Sequence, residues 1–134
     1  MIVQYLADLK PETNLAPRNG TRERLELQEW LHFIATELHK GMSVFYQASA
    51  GEELRGIMRG RLDGRFAFLG KHLAGRPFIM GDTFTVADAY AFYVLRAYQK
   101  QLKVVLEGPL AAYYTKLAAR PSVKTALEFE KLEA

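Results

Sequence analysis

His32, His39 and His72 stand without a single cysteine beside them in the 134 residues of this chain. His39 is followed directly by Lys40, and both residues leave the apolar stripe of the segment that carries them. An imidazole titrates near neutral pH, so it can hydrogen-bond or protonate a reacting group. The competing reading is a polar helix face that meets water. His32 and His39 are seven residues apart, and their ring nitrogens would not naturally converge on one ion. No acid or third histidine is placed to complete a tetrahedron, so no metal is expected. His72 is expected at the surface, at the end of its helix. Ser43, Ser49 and Ser122 lack the sharp turn, histidine and acid of a serine hydrolase. Absence of cysteine excludes disulfides, thiolate metal sites and a thiol nucleophile from this chain.

The elements that must position these side chains read as helices. Ile2, Tyr5, Leu6 and Leu9 fall at helical spacing with no capping residue before them, which fits either a frayed terminus or a helix opened midway. Pro11 to Gly20 is a loop. From Thr21 to Gln47, Leu27, Leu31, Ile34, Leu38, Met42 and Phe45 recur at three and four, joined by Trp30, while His32, Thr36, His39 and Ser43 gather opposite them. A third helix over Ala50 to Gly75 places Leu54, Ile57, Met58, Leu62, Phe66, Leu69 and Leu73 inward. Gly56, Gly60 and Gly64 lie along it at fourfold spacing, each costing about 1 kcal/mol of helix propensity. That row is either a site of close helix approach or a tolerated weakness, and it is no phosphate-binding loop.

Pro77 and Gly81-Asp82 mark a loop. Thr85 and Asp88 then form a Thr-x-x-Asp capping box. Apolar residues on every face between Val86 and Tyr98 predict a central helix, with its Tyr and Phe residues in the core. Gly108-Pro109 opens another helix, Arg120-Pro121 ends it, and Ser122 to Leu132 forms the last. The fold class is all-α, a helical bundle.

The composition is that of one globular domain with a core. The longest strictly apolar run, Ala89 to Leu95, is far short of the roughly 20 residues that span a bilayer. No leader pattern is visible, and a cytoplasmic location without membrane insertion is expected. The formal charge of +3 is small and its bases are interleaved with acids, which weighs against nucleic acid as a partner. Arg55, Arg59, Arg61 and Arg65 read as a solvated basic face.

Glu29 to Gly41, EWLHFIATELHKG, closely resembles the second-domain helix of bacterial, beta-class glutathione transferases. Phe84 to Tyr90, FTVADAY, resembles the capping box and central helix of that family. Asn14-Leu15-Ala16-Pro17, Gly81-Asp82, Val94-Leu95-Arg96 and Arg120-Pro121-Ser122-Val123 fit in the same order. The resemblance implies that residues 1–10 are the remnant of a helix closing a thioredoxin-like domain that this sequence does not contain. Residues 11–134 would be the C-terminal helical domain.

It further implies that His39 lies near the glutathione sulfur as the catalytic residue, and that Lys40 and His32 belong to the substrate-binding surface. A positively polarised imidazole favours the thiolate, and an unperturbed thiol has a pKa of about 8.5. Relatives often have asparagine at the match to His32, tryptophan at the match to Ala97 and proline at the match to Met42. Those departures bear on pocket shape and substrate range. The implied partners are glutathione, as co-substrate rather than resident cofactor, and an electrophilic small molecule. A homo-oligomer is expected. Two readings follow: half of a transferase, inactive without its first domain, or a non-catalytic interaction and dimerisation module.

Overall fold

A computed structural model describes residues 2–131. Its helices are α1 (Ile2–Asp8), α2 (Arg22–Phe33), α3 (Glu52–Leu73), α4 (Val86–Leu102), α5 (Gly108–Ala118) and α6 (Pro121–Phe129). Among the described residues there is no strand, only an isolated antiparallel bridge between Phe78 and Gly81. The fold is an all-α bundle. The predicted end of the last helix, Leu132, lies outside the described residues.

Thr21 caps α2, its Oγ1 accepting from Arg24 N at 3.2 Å. The expected unbroken helix then departs from α geometry. A π-helical turn covers Ile34–His39 and a 3-10 segment covers Lys40–Tyr46. Thr36 donates its hydroxyl to His32 O at 2.9 Å, a local competitor for the helix's own bonding. The overwound segment follows the underwound one, so Leu27, Leu31, Ile34, Leu38 and Met42 all stay buried. The stripe drifts only at its end, where Val44 rather than Phe45 is fully inside.

α3 corrects the predicted inner face. Leu62, Phe66, Leu69 and Leu73 are buried, but Leu54 and Ile57 are exposed because the first turns extend beyond the core. A Cβ at Gly56, Gly60 or Gly64 would meet nothing within 4 Å. That row is therefore not a close approach. The close approaches are at Gly41, whose Cβ would lie 2.9 Å from Leu62, and Gly70, 3.2 Å from Leu110.

α4 runs through the centre, burying Val86, Ala87, Ala91, Phe92, Val94, Leu95 and Tyr98. It is not apolar-packed all round: Ala89 and Tyr93 are exposed and Tyr90 is half-buried. Its first turn is fastened by Leu15, whose carbonyl accepts from Val86 N at 2.9 Å. Pro109 opens α5 as predicted, whereas Pro121, expected to end that helix, is the first residue of α6. α6 has no fully buried residue, and packs through half-buried Val123 and Leu127.

His72 is not a free surface histidine. It is half-buried, its Nε2 lies 2.9 Å from Ile79 O, and its ring lies 4.1 Å from that of Trp30. α1 turns Ile2, Tyr5 and Leu6 outward and buries Ala7, and Leu9 is exposed just past its end. It is held from its polar side, where Asp8 takes two bonds from Arg24.

Candidate functional site

The π turn delivers His39 to α4. Its Nδ1 lies 2.8 Å from the hydroxyl of Tyr90. The imidazole stands edge-on to the ring of Tyr90, at 5.7 Å and 78°, and to that of Tyr93, at 5.4 Å and 70°. Tyr90 and Tyr93 are three residues apart and so share a helix face. His39 is half-buried, neither sealed in the core nor detached from it. Burial, followed by Tyr93, pushes the Tyr90 phenol up from its usual pKa. Tyr90 therefore stays a hydroxyl at neutral pH.

Tyr90 and Tyr93 each line a hollow. A groove of about 760 Å³ is lined by His32, Leu31, Gln28, Ile2, Val3 and Tyr90, among others. A mostly apolar cavity of about 450 Å³ is lined by Tyr93, Phe92, Phe84, Val123 and Leu127, with Arg96 and Arg120. A cavity of that size and character suits a small organic molecule. His39 contacts one lining residue of each, Tyr90 of the groove and Tyr93 of the cavity.

The sequence-predicted residues therefore separate. His39 and His32 are joined through Tyr90, which touches the first and lines the groove of the second. Lys40 instead lines a depression of about 160 Å³ with Thr36, Glu37, Met58 and Arg61. Thr85 and Asp88 are fully buried and form the capping box. Thr85 N donates to Asp88 Oδ2 at 2.8 Å, and the same carboxylate accepts from Ile79 N and from the Tyr113 hydroxyl. Their task is structural.

Tyr90 and Tyr93 were expected in the core; the structure places them at the site. A signal for this was present in the sequence. Ala87, Ala91, Val94, Leu95 and Tyr98 complete a core face without them. Tyr90, Tyr93 and Ala97 then form a separate row at three and seven.

The four arginines of α3 are engaged within the chain. Arg59 pairs with Asp63 at 2.8 Å and Arg65 with Glu37 at 2.8 Å, Arg61 reaches the same Glu37 at 3.8 Å, and Arg55 donates to the carbonyls of Gln47 and Ala50. Among the described residues no three His, Asp or Glu side chains are placed to hold a metal ion. None of their helices is long and apolar enough to cross a membrane.

Comparison with known proteins agrees with this architecture. Residues 36–130 match the family model for the glutathione S-transferase C-terminal domain. The chain is 38% identical over 134 residues to glutathione S-transferase GstA of Escherichia coli O157:H7, covering 98% of itself and 66% of that protein. BphK, a bacterial glutathione transferase solved as a ternary complex, superposes with a TM-score of 0.93 at 37% identity, over 98% of this chain and 66% of BphK. A sphingomonad glutathione S-transferase, solved with glutathione bound, superposes with a TM-score of 0.90 at 32% identity, over 98% and 66%. This chain thus spans just under two thirds of the length of these relatives. With the family model over most of its length and the bundle superposing on these relatives over 98% of the chain, the chain belongs to the glutathione S-transferase family, whose C-terminal helical domain it forms.

Proposed function

We propose that this chain supplies the electrophile-binding wall and part of the glutathione site of a transferase that adds the glutathione thiolate to an electrophilic carbon. The observation that carries this reading is the contact of His39 with both Tyr90, which lines the His32 groove, and Tyr93, which lines the apolar cavity. A hydrogen-bonding imidazole so placed can stabilise a sulfur anion, and the apolar cavity can take the electrophile's hydrophobic body. Glutathione bound to the sphingomonad relative supports the choice of thiol. Among the described residues no strand is present to pair with the peptide backbone of glutathione. Little or no conjugation is expected of these 134 residues alone, and a thioredoxin-like domain is expected to complete the site.

The test is to place such a domain ahead of this chain and assay conjugation with a chlorinated aromatic substrate. The fused protein conjugates glutathione, and His39→Ala lowers the rate by about a hundredfold, the lower end for a positioned acid–base group. A folded, active fusion indifferent to His39→Ala overturns the role of His39. Conjugation by the 134 residues alone overturns the need for a second domain.

A second reading, a non-catalytic docking or dimerisation module, is favoured by the outward row of Ile2, Tyr5, Leu6 and Leu9. Such a contiguous apolar row marks an interaction surface. Sedimentation of the isolated chain decides it: concentration-dependent association lost in Leu6→Glu supports this reading, and a monomer at every concentration removes it.

A further inference from the structure

We propose that Tyr90 is the positioning residue of the site, donating its hydroxyl to Nδ1 of His39 and so fixing the ring as the Nε2–H tautomer. This rests on reading His39 as the residue that faces the glutathione sulfur. The geometry carries the assignment. Tyr90 O and His39 Nδ1 are 2.8 Å apart, a full hydrogen bond, and it is the bond found for the His39 ring among the described residues.

Chemistry gives its direction. A bare imidazole nitrogen is a strong acceptor, whereas a phenolic oxygen is a poor one and a good donor. A donor at Nδ1 leaves the ring proton on Nε2, because neutral imidazole carries only one. Burial keeps the Tyr90 phenol protonated, as this role requires. The edge-on rings of Tyr90 and Tyr93 restrict rotation of the imidazole about its own bond. Nε2–H is then the polar group that the half-buried ring has left to offer a ligand. An N–H aimed at sulfur is what a thiolate needs; the opposite tautomer would present a lone pair and repel it.

Long-range proton–nitrogen correlation of the imidazole rings in the 134-residue chain, above the range where histidine titrates, tests this directly. His39 is assigned by loss of its signals in His39→Gln. The expected spectrum shows a protonated Nε2 and a bare Nδ1. In Tyr90→Phe the single tautomer is lost and both nitrogens shift toward the averaged position, while Tyr93→Phe keeps the wild-type pattern. A proton on Nδ1 in the wild type overturns the proposal, as does an unchanged tautomer in folded Tyr90→Phe. Should Tyr90→Phe fail to fold, the Tyr90 hydroxyl proton of the wild type is read instead: a slowly exchanging proton in contact with the His39 ring supports the bond, and a freely exchanging one overturns it. The transferase reading fails separately, through an active fusion insensitive to His39→Ala, and that result leaves the tautomer as measured.

Discussion

The hydroxyl of Tyr113, on α5, donates to Oδ1 of Asp88, on α4, at 2.7 Å, with both side chains in the core. The same oxygen accepts from Ile79 N at 2.8 Å, while Oδ2 serves Thr85. One carboxylate thus fastens the loop before α4, the first turn of α4 and the middle of α5. Burial and the nearby Asp88 charge push the Tyr113 phenol far above its ordinary pKa, keeping it a donor.

Replacing Asp88 by alanine strands four buried donors at once, the amides of Ile79 and Thr85 and the hydroxyls of Thr85 and Tyr113. The cost expected is on the order of 3 kcal/mol or more, because each unsatisfied buried group costs about 1–3 kcal/mol. Tyr113→Phe removes one donor and no acceptor need remain unmet, so about 1 kcal/mol is expected. Urea midpoints, at unchanged slope, give both values. Equal losses in the two variants would show that the carboxylate acts only through Tyr113.

Arg24 is buried and reaches Asp8 with two bonds of 2.7 and 2.8 Å, and Pro17 O with a third of 2.9 Å. The hydrogen bonds from Arg24 hold the Asp8 carboxyl below the usual carboxylate range, against an opposing effect of burial. A folded-state pKa below the unfolded value means that the pair's stabilisation is present above about pH 4, the ordinary aspartate value. It is lost as pH falls through the lowered pKa. Asp8→Asn is expected to flatten that part of the acid limb in a thermal-melt series from neutral to acid pH. An unaltered limb would assign acid sensitivity to other carboxylates.

Glycines divide by what surrounds them. Gly60→Ala and Gly64→Ala enter open space and should each stabilise the protein by about 0.5–1 kcal/mol, the difference in helix propensity. Gly41→Ala meets Leu62 at 2.9 Å, and Leu62 is itself fully buried. Overpacking there should cost about 1–3 kcal/mol. Denaturation of the three variants side by side checks the contrast, and a gain in all three would remove it.

Tyr98 stacks on Phe66 with centroids 3.9 Å apart and donates to Asp63. Burial first, then that bond and the Asp63 charge, push its phenol up to about 12, with Arg59 opposing. The folded state therefore holds this proton more tightly than the unfolded chain. The stabilisation is complete below about pH 10, the ordinary tyrosine value, and is lost as pH rises through about 12. Tyrosinate absorbance should show a late step that disappears in Tyr98→Phe and moves to lower pH in Asp63→Asn.

Local chemistry was enough to place the helices, because their signals lie within a few residues of one another. The Thr85–Asp88 cap, the proline opening α5 and the stripe from Leu27 to Met42 each declare themselves that way, and EWLHFIATELHKG carried the family. What required the tertiary structure were relationships across long separations. Arg24 looks like any surface arginine until Asp8 and the Pro17 carbonyl are folded around it. Tyr90 reads as core until the π turn, whose changed winding no spacing rule foretells, sets His39 against its hydroxyl. Leu54 and Ile57 keep perfect periodicity and are exposed all the same, since a pattern along one helix cannot say where its neighbours end. Lys40 adjoins His39 in sequence and still opens onto a different hollow. The site is a property of crossing helices, and crossing is decided by packing between residues far apart in the chain.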